Sequence, residues 1–327
     1  MINNGTASAP GKVVLSGEYA VLDGAPAICM AVNRHAHVVI ADIDSDCSEV
    51  RAPGFTDTVG RFKMIDGGIR WEDGQASFGV VDAVLSIVGI EQTGAKSIDL
   101  NSSEFVDSAT QRKIGIGSSA AITVALCAAA VSSADPAVLT TLAQRAHTNL
   151  QEGAGSGVDI ATSVSGGLIE YRMQDASVTA LKWPGGLYYR LLWTGVAAST
   201  RTQLSKLAAS VSKPSRAGLV AASESLALAW RSNDAQQVSA GYRDYTQQLH
   251  RFSVDHDLGI FDAGHAELWQ AASAAGLTYK PCGAGGGDIG ILLGMDEAEL
   301  DAFTGKHTTN CSVLDCEMSP TGVRIDA

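Results

Sequence analysis

The period of hydrophobic and polar positions changes along the chain, and the changes divide it into elements. Apolar residues from Lys12 to Leu15 read as a short strand that stops at Ser16-Gly17. From residue 27 to residue 41 β-branched and polar residues alternate, which predicts a longer strand with one polar face. Residues 54–72 read as further strands and turns. Val80, Val81, Ala83, Val84, Ile87 and Val88 then fall at helical spacing within 79–88, and Ile98 to Leu100 form a strand. The stretch from Ile114 to Val131 has no charge over 18 residues and opens with two glycines and two serines. A helix begins at Asp135-Pro136 and runs to about Leu150. A short helix follows over 159–164, and a strand over 168–171.

Trp183-Pro184-Gly185-Gly186 interrupts the pattern. Beyond it the chain predicts a strand over 188–193 and helices over 199–211, 215–232, 235–254 and 261–275. A buried strand ends at Leu293, a helix covers 297–305, and a closing strand covers 312–317. Strands dominate the first part and helices the second. The fold class expected is therefore α+β, in two domains, 1–185 and 186–327. A chain of 327 residues has room for two.

Bulk properties remove several functions. The uncharged run at 114–131 is near the lower limit for a membrane span, but it is rich in Gly, Ser and Ala, so a buried helix of a soluble domain is expected. The net charge is -12 and Lys and Arg form no run, which argues against a nucleic-acid partner. An anionic ligand must then be held by local donors. Six cysteines show no Cys-x-x-Cys pair, so free thiols are expected. With no basic-then-apolar leader at residues 1–6, this predicts a cytoplasmic location.

The candidate chemistry starts at residues 113–121. Gly115 and Gly117 permit tight turns and close backbone approach, and the first helical turn behind them offers N–H groups at the positive end of the helix dipole. Ser118 and Ser119 add hydroxyls for a phosphate oxygen or Mg2+. The loop lacks the Gly-Lys-Ser/Thr of a Walker loop, and Ala120 stands where the dinucleotide fingerprint needs a third glycine. On these residues alone, a capped core helix remains an alternative. Further glycine-rich segments lie at 11–24, at 152–157 just before Asp159, and at 283–290.

This ordered set resembles the GHMP small-molecule kinases, named for galactokinase, homoserine kinase, mevalonate kinase and phosphomevalonate kinase, from Ala9 to Leu293. The resemblance implies a two-domain α+β fold with ATP and substrate in the inter-domain cleft. Five details are similar to the phosphomevalonate kinase branch. They are Gly17-Glu18-Tyr19-Ala20-Val21, the Lys113 lead into the loop, Ser102-Ser103-x-Phe105, Trp193-Thr194-Gly195 with Ser199-Thr200, and Gly285-Gly286-Gly287-Asp288-x-Gly290. That branch phosphorylates 5-phosphomevalonate to the diphosphate in isoprenoid synthesis. Alternatives are a sibling kinase acting on a hydroxyl, such as mevalonate kinase, a related decarboxylase, or a ligand sensor. Lys12 argues against the decarboxylase, and Lys12 with Asp159 against the sensor.

By the same resemblance, Lys12 and Asp159 are the catalytic residues. Lys113, Gly115, Gly117, Ser118, Ser119 and Ala120 hold ATP, and Ser118 or Ser119 holds Mg2+. Glu18, Tyr19, Ser102, Ser103, Ser199, Thr200, Arg201, Gly285, Gly286 and Asp288 are the residues expected around the small phosphorylated acceptor. The chain departs from mevalonate kinase where a carboxylate would bind Mg2+. It has His147-Thr148-Asn149-Leu150-Gln151 there, with Glu152 the nearest acid. Mg2+ held by serine, phosphate and water is therefore expected. His147, His256 and His265 have no ligand spacing and are expected to be core or surface residues. A homodimer is left open.

Overall fold

The structure is a computed structural model that describes residues 2–65, 68–89, 94–151, 155–198, 200–209, 213–307 and 311–326. Its first sheet contains β1 (Gly5–Ser16), β2 (Ala27–Ile43), β3 (Ser48–Ala52), β4 (Thr56–Ile65), β5 (Gly68–Asp73), β6 (Ala95–Asn101), β7 (Leu168–Arg172) and β8 (Ser177–Leu181). The second contains β9 (Tyr188–Trp193), β10 (Thr278–Pro281), β11 (Ile289–Gly294) and β12 (Ser312–Leu314), in the order β10-β11-β9-β12. A last strand, β13 (Arg324–Asp326), returns to the first sheet beside β1. The helices are α1 (Gly79–Val88), α2 (Ser118–Val131), α3 (Pro136–Leu150), α4 (Val158–Ser165), α5 (Thr200–Ala209), α6 (Pro214–Ser232), α7 (Ala235–Asp255), α8 (His265–Ala274) and α9 (Glu297–Lys306).

The first sheet runs β13-β1-β2-β6-β3-β4-β5, with β7 and β8 branching from β2. The fork exists because β2 is 17 residues long. Its first part, Ala27 to Met30, pairs with β7, and its last part, His37 to Ile43, pairs with β6. Opposite it, β1 shifts register between Pro10 and Gly11 and again between Val14 and Ser16. Such irregularities bend a strand and re-aim its side chains. Lys12 sits between the two, and its N–H donates to Ile116 O at 2.8 Å, which ties β1 to the glycine loop.

Helix α2 fills the centre of this half. Every residue from Ala120 to Ala130 is buried, which explains why its sequence has no polar face. It packs on β1 and β2 and against α1, α3 and α4, and its run of alanines allows that approach from several sides. No helix among the described residues is long and apolar enough to cross a membrane.

Some expectations need correction. The helix expected over 261–275 begins only at His265, because Ala263 and Gly264 are in the left-handed region and break the turn before it. The closing strand stops at Leu314. Strands β3, β8, β10 and β13 were not expected. They are 3 to 5 residues long and two of them, β8 and β13, are largely exposed, so alternation leaves no mark. Because β13 pairs with β1, the end of the chain crosses back over the division expected at residues 185 and 186.

Candidate active site

Lys12 comes from β1 and Asp159 from the first turn of α4, and their side chains meet at 3.3 Å. Gly117 makes room for the lysine. A Cβ at that glycine would lie 2.9 Å from Lys12 Cε, and its φ of +86° is one that other residues rarely adopt. The aliphatic stem therefore rests on the glycine loop, and the ammonium reaches the carboxylate. Side-chain exposure is 11% for Lys12 and 31% for Asp159, so the acid is the more open of the two. Burial opposes the charge on Lys12, but the Asp159 carboxylate and weaker neighbours outweigh it and leave its pKa raised. Lys12 is a permanent cation at neutral pH. Beside it the Cys29 thiol donates to Val13 O at 3.2 Å, and burial pushes its pKa up to about 12, which leaves it unreactive.

Two cavities flank the glycine loop. The larger, about 500 Å³, has Phe55, Phe78, Phe105 and Ile122 in its walls and Lys113, Ser118 and Ser119 at its polar end. Lys113 Nζ lies 5.2 Å from the centre of the Phe55 ring. A flat apolar group joined to an anionic chain matches such a lining. The smaller cavity, about 120 Å³, is lined by Lys12, Asp159, Tyr19, His147, Gln151, Gly283 and Ala284. Ser119 Oγ in the first cavity lies 3.3 Å from His147 Nε2 in the second, so the two spaces meet there.

The expected acceptor residues divide. Tyr19 lines the smaller cavity and donates its hydroxyl to Ala284 O at 2.6 Å. Ser102, expected on the acceptor side, lines the larger cavity with Lys113, and the Ser103 N–H donates to Asn101 Oδ1 at 3.0 Å. Glu18 borders the smaller cavity but engages both oxygens within the protein. Oε1 pairs with Lys280 Nζ at 2.5 Å and accepts the Gly283 N–H at 3.3 Å, while Oε2 accepts the Tyr245 hydroxyl at 2.6 Å. Tyr245 in turn accepts the Gly17 N–H at 2.9 Å. One buried carboxylate thus joins the first glycine segment to the third. Gly285 packs on Ile260, and the Gly286 N–H donates to Ile260 O at 2.8 Å. Ser199 lies outside the described residues, as do the side chains of Thr200 and Arg201 at the start of α5.

Asp288 joins the third glycine segment to the glycine loop and to the stretch after β9. Its Oδ1 accepts the Ala198 N–H at 3.2 Å, and its carboxylate is so close to Gly115 that a Cβ there would lie 2.3 Å from Asp288 Cγ. Burial pushes its carboxyl up to about 6, against the pull of the Ala198 N–H and of Lys12. An acid whose folded value lies above its ordinary 3.8 holds its proton more tightly folded than unfolded. Its contribution to stability is therefore greatest below 3.8 and is lost as pH rises through about 6. Asp288→Asn removes that slope. In urea titrations the stability difference is expected to move in the variant's favour from about pH 4 to about pH 7 and to be flat above. A difference that does not vary with pH would contradict this.

Sequence reasoning missed Lys280, Tyr245 and the aromatic walls at Phe55 and Phe78, and set His147 aside. Only His147 left a signal, because it lies within the stretch singled out for lacking a metal-binding acid.

The fold and this site define a small-molecule kinase, and comparisons agree. The GHMP kinases N terminal domain profile matches residues 79–167. The phosphomevalonate kinase of Streptomyces sp. (strain CL190) is 32% identical, over 90% of this chain and 90% of its own. The chain belongs to the GHMP kinase family, and it is a phosphotransferase whose relatives include phosphomevalonate kinase. Among solved structures it is similar to the Lin0012 protein from Listeria innocua, with TM-score 0.84 and 22% identity over 98% of this chain and 99% of that one. It is also similar to Streptococcus pneumoniae phosphomevalonate kinase in complex with phosphomevalonate and AMPPNP. There the TM-score is 0.79 and the identity 18%, over 96% of this chain and 99% of that one. These two likenesses concern the fold.

Proposed function

We propose that this protein transfers the γ-phosphoryl group of ATP to the phosphate of 5-phosphomevalonate, giving 5-diphosphomevalonate for isoprenoid synthesis. The observation that carries the reading is the Lys12–Asp159 pair, which lies against the glycine loop and lines the smaller cavity. The larger cavity takes the nucleoside, and the loop from Gly115 to Ala120 seats the phosphate chain on the N-terminus of α2. The smaller cavity takes the acceptor phosphate.

An acceptor oxygen attacks the γ-phosphorus, the bond from that phosphorus to the β,γ-bridging oxygen breaks, and ADP leaves. A phosphate monoester has its second pKa near ~6, so at neutral pH the nucleophile is largely ionised already. Asp159 then acts mainly by orienting the acceptor and by taking any proton that remains on it. Lys12 neutralises charge on the oxygens of the group in flight, which is where phosphoryl transfer gains most. The Ser118 and Ser119 hydroxyls at the polar end of the larger cavity are oxygen donors of the kind Mg2+ takes, and this ion readily keeps phosphate oxygens and waters as its other ligands. When bound, Mg2+ would neutralise the phosphate chain. Ser118 and Ser119 would hold it.

Two domains, 1–185 and 186–327, with residues 324–326 lent to the first sheet, account for a cleft with one glycine segment from the second half. The free thiols among the described residues suit the cytoplasm. The acidic surface suits a small-molecule partner rather than nucleic acid. The test is ADP release with Mg-ATP and each of mevalonate, 5-phosphomevalonate and 5-diphosphomevalonate, with CO2 followed in parallel. Turnover with 5-phosphomevalonate alone and no CO2 is expected. Turnover with mevalonate would move the reaction to a hydroxyl acceptor.

A further inference from the structure

His147 lines the smaller cavity, and its ring also reaches a glycine-loop hydroxyl. It is buried, at 6% exposure, near the end of α3. Its Nε2 lies 3.3 Å from Ser119 Oγ and 3.3 Å from Gln151 Nε2. Gln151 turns its amide oxygen toward Gly155, where an added Cβ would come within 2.4 Å of it, and its nitrogen toward the imidazole. An amide nitrogen can only donate. With the amide turned this way Nε2 accepts, and the ring proton of a neutral imidazole resides on Nδ1.

An accepting Nε2 also fixes the serine. Ser119 must turn its hydroxyl hydrogen toward the ring, so the lone pairs of its oxygen are left for the larger cavity that this serine lines. We propose that His147 is a positioning residue that holds the Ser119 hydroxyl by its hydrogen and presents Ser119 Oγ as an oxygen ligand to a phosphate-bound divalent cation. The arrangement gives this chain a means of ordering a hydroxyl ligand without a carboxylate on α3. It rests on the reading that the glycine loop seats a Mg-nucleotide.

The first test uses wild-type protein labelled with 15N at histidine, with the His147 signals identified by their loss in His147→Gln. At neutral pH, Nδ1 is expected to give a pyrrole-type and Nε2 a pyridine-type resonance. Protonation of Nε2 would overturn the proposal. The second test is calorimetric binding of ADP with and without Mg2+. His147→Leu is expected to lose about tenfold or more of the tightening that Mg2+ confers, with metal-free ADP changed by less than about twofold, as for loss of a group that orients a metal ligand. His147→Gln, whose amide oxygen can accept the same hydrogen, is expected to recover most of the loss. Equal weakening with and without Mg2+ would show a merely structural role and overturn it. Wild-type protein that gains nothing from Mg2+ would sink the parent reading and this one together, a result distinct from a failure confined to the variants.

Discussion

Lys12→Met is expected to lower kcat by about 10²–10³-fold with the fold intact, the size seen when one preorganised charge-stabilising donor is removed. Methionine keeps most of the stem that rests on Gly117 and removes only the ammonium. Asp159 then loses its partner at 3.3 Å, but it is the more exposed member and can be solvated. The loss therefore falls on the transition state rather than on stability. Asp159→Asn is expected to fall in the same range. Because the two side chains act on one phosphoryl group, the double variant is expected to be little worse than the worse single one. The measurement is steady-state turnover with circular dichroism and urea titration as the check on folding. Near-normal kcat in a folded Lys12→Met protein would remove this residue from the mechanism.

Lys280→Met is expected to cost about 3–5 kcal/mol of stability, the usual penalty for leaving a buried charge without its partner. Lys280 is fully buried and the Glu18 side chain is 2% exposed, so no water replaces the lost ammonium. Tyr245 and the Gly283 N–H still donate to Glu18, but neither carries a charge. The same carboxylate positions Gly283 and, through its neighbour Tyr19, Ala284, both of which line the smaller cavity. A rise in KM for the acceptor is therefore expected alongside the fall in stability. Adding Glu18→Gln should restore part of the stability, because it removes the orphaned charge. A Lys280→Met protein as stable to urea as the wild type would show that the pair does not hold the two glycine segments together.

The parts legible in the sequence are those written in local order. The glycine loop, the uncharged run that became α2, and the spacing of α1, α3, α6 and α7 could all be read from adjacent residues, because helical period and turn chemistry are local signals. The order of the glycine segments carried the family, and with it Lys12 and Asp159. Glu18 was legible as a motif residue but not as the partner of a lysine 262 positions away. Nothing in the apolar setting of Lys280 marks it as charged and buried. Ser102 lines the cavity of Phe55 and Phe78 rather than that of Lys12 and Asp159, a matter of tertiary packing that no local pattern records. His147 has no spacing pattern because its partner Ser119 lies on a different helix. Strands β3 and β13 are defined by what they pair with rather than by their own alternation.

The central claim is that the acceptor atom is a phosphate oxygen. The direct measurement is the 31P spectrum of the product formed from Mg-ATP and 5-phosphomevalonate by the purified protein. Two mutually coupled diphosphate resonances, growing in step with ADP, are the predicted result. ADP formed without a new phosphorus–phosphorus coupling, or a second monoester resonance, would place the phosphoryl group elsewhere and contradict the account.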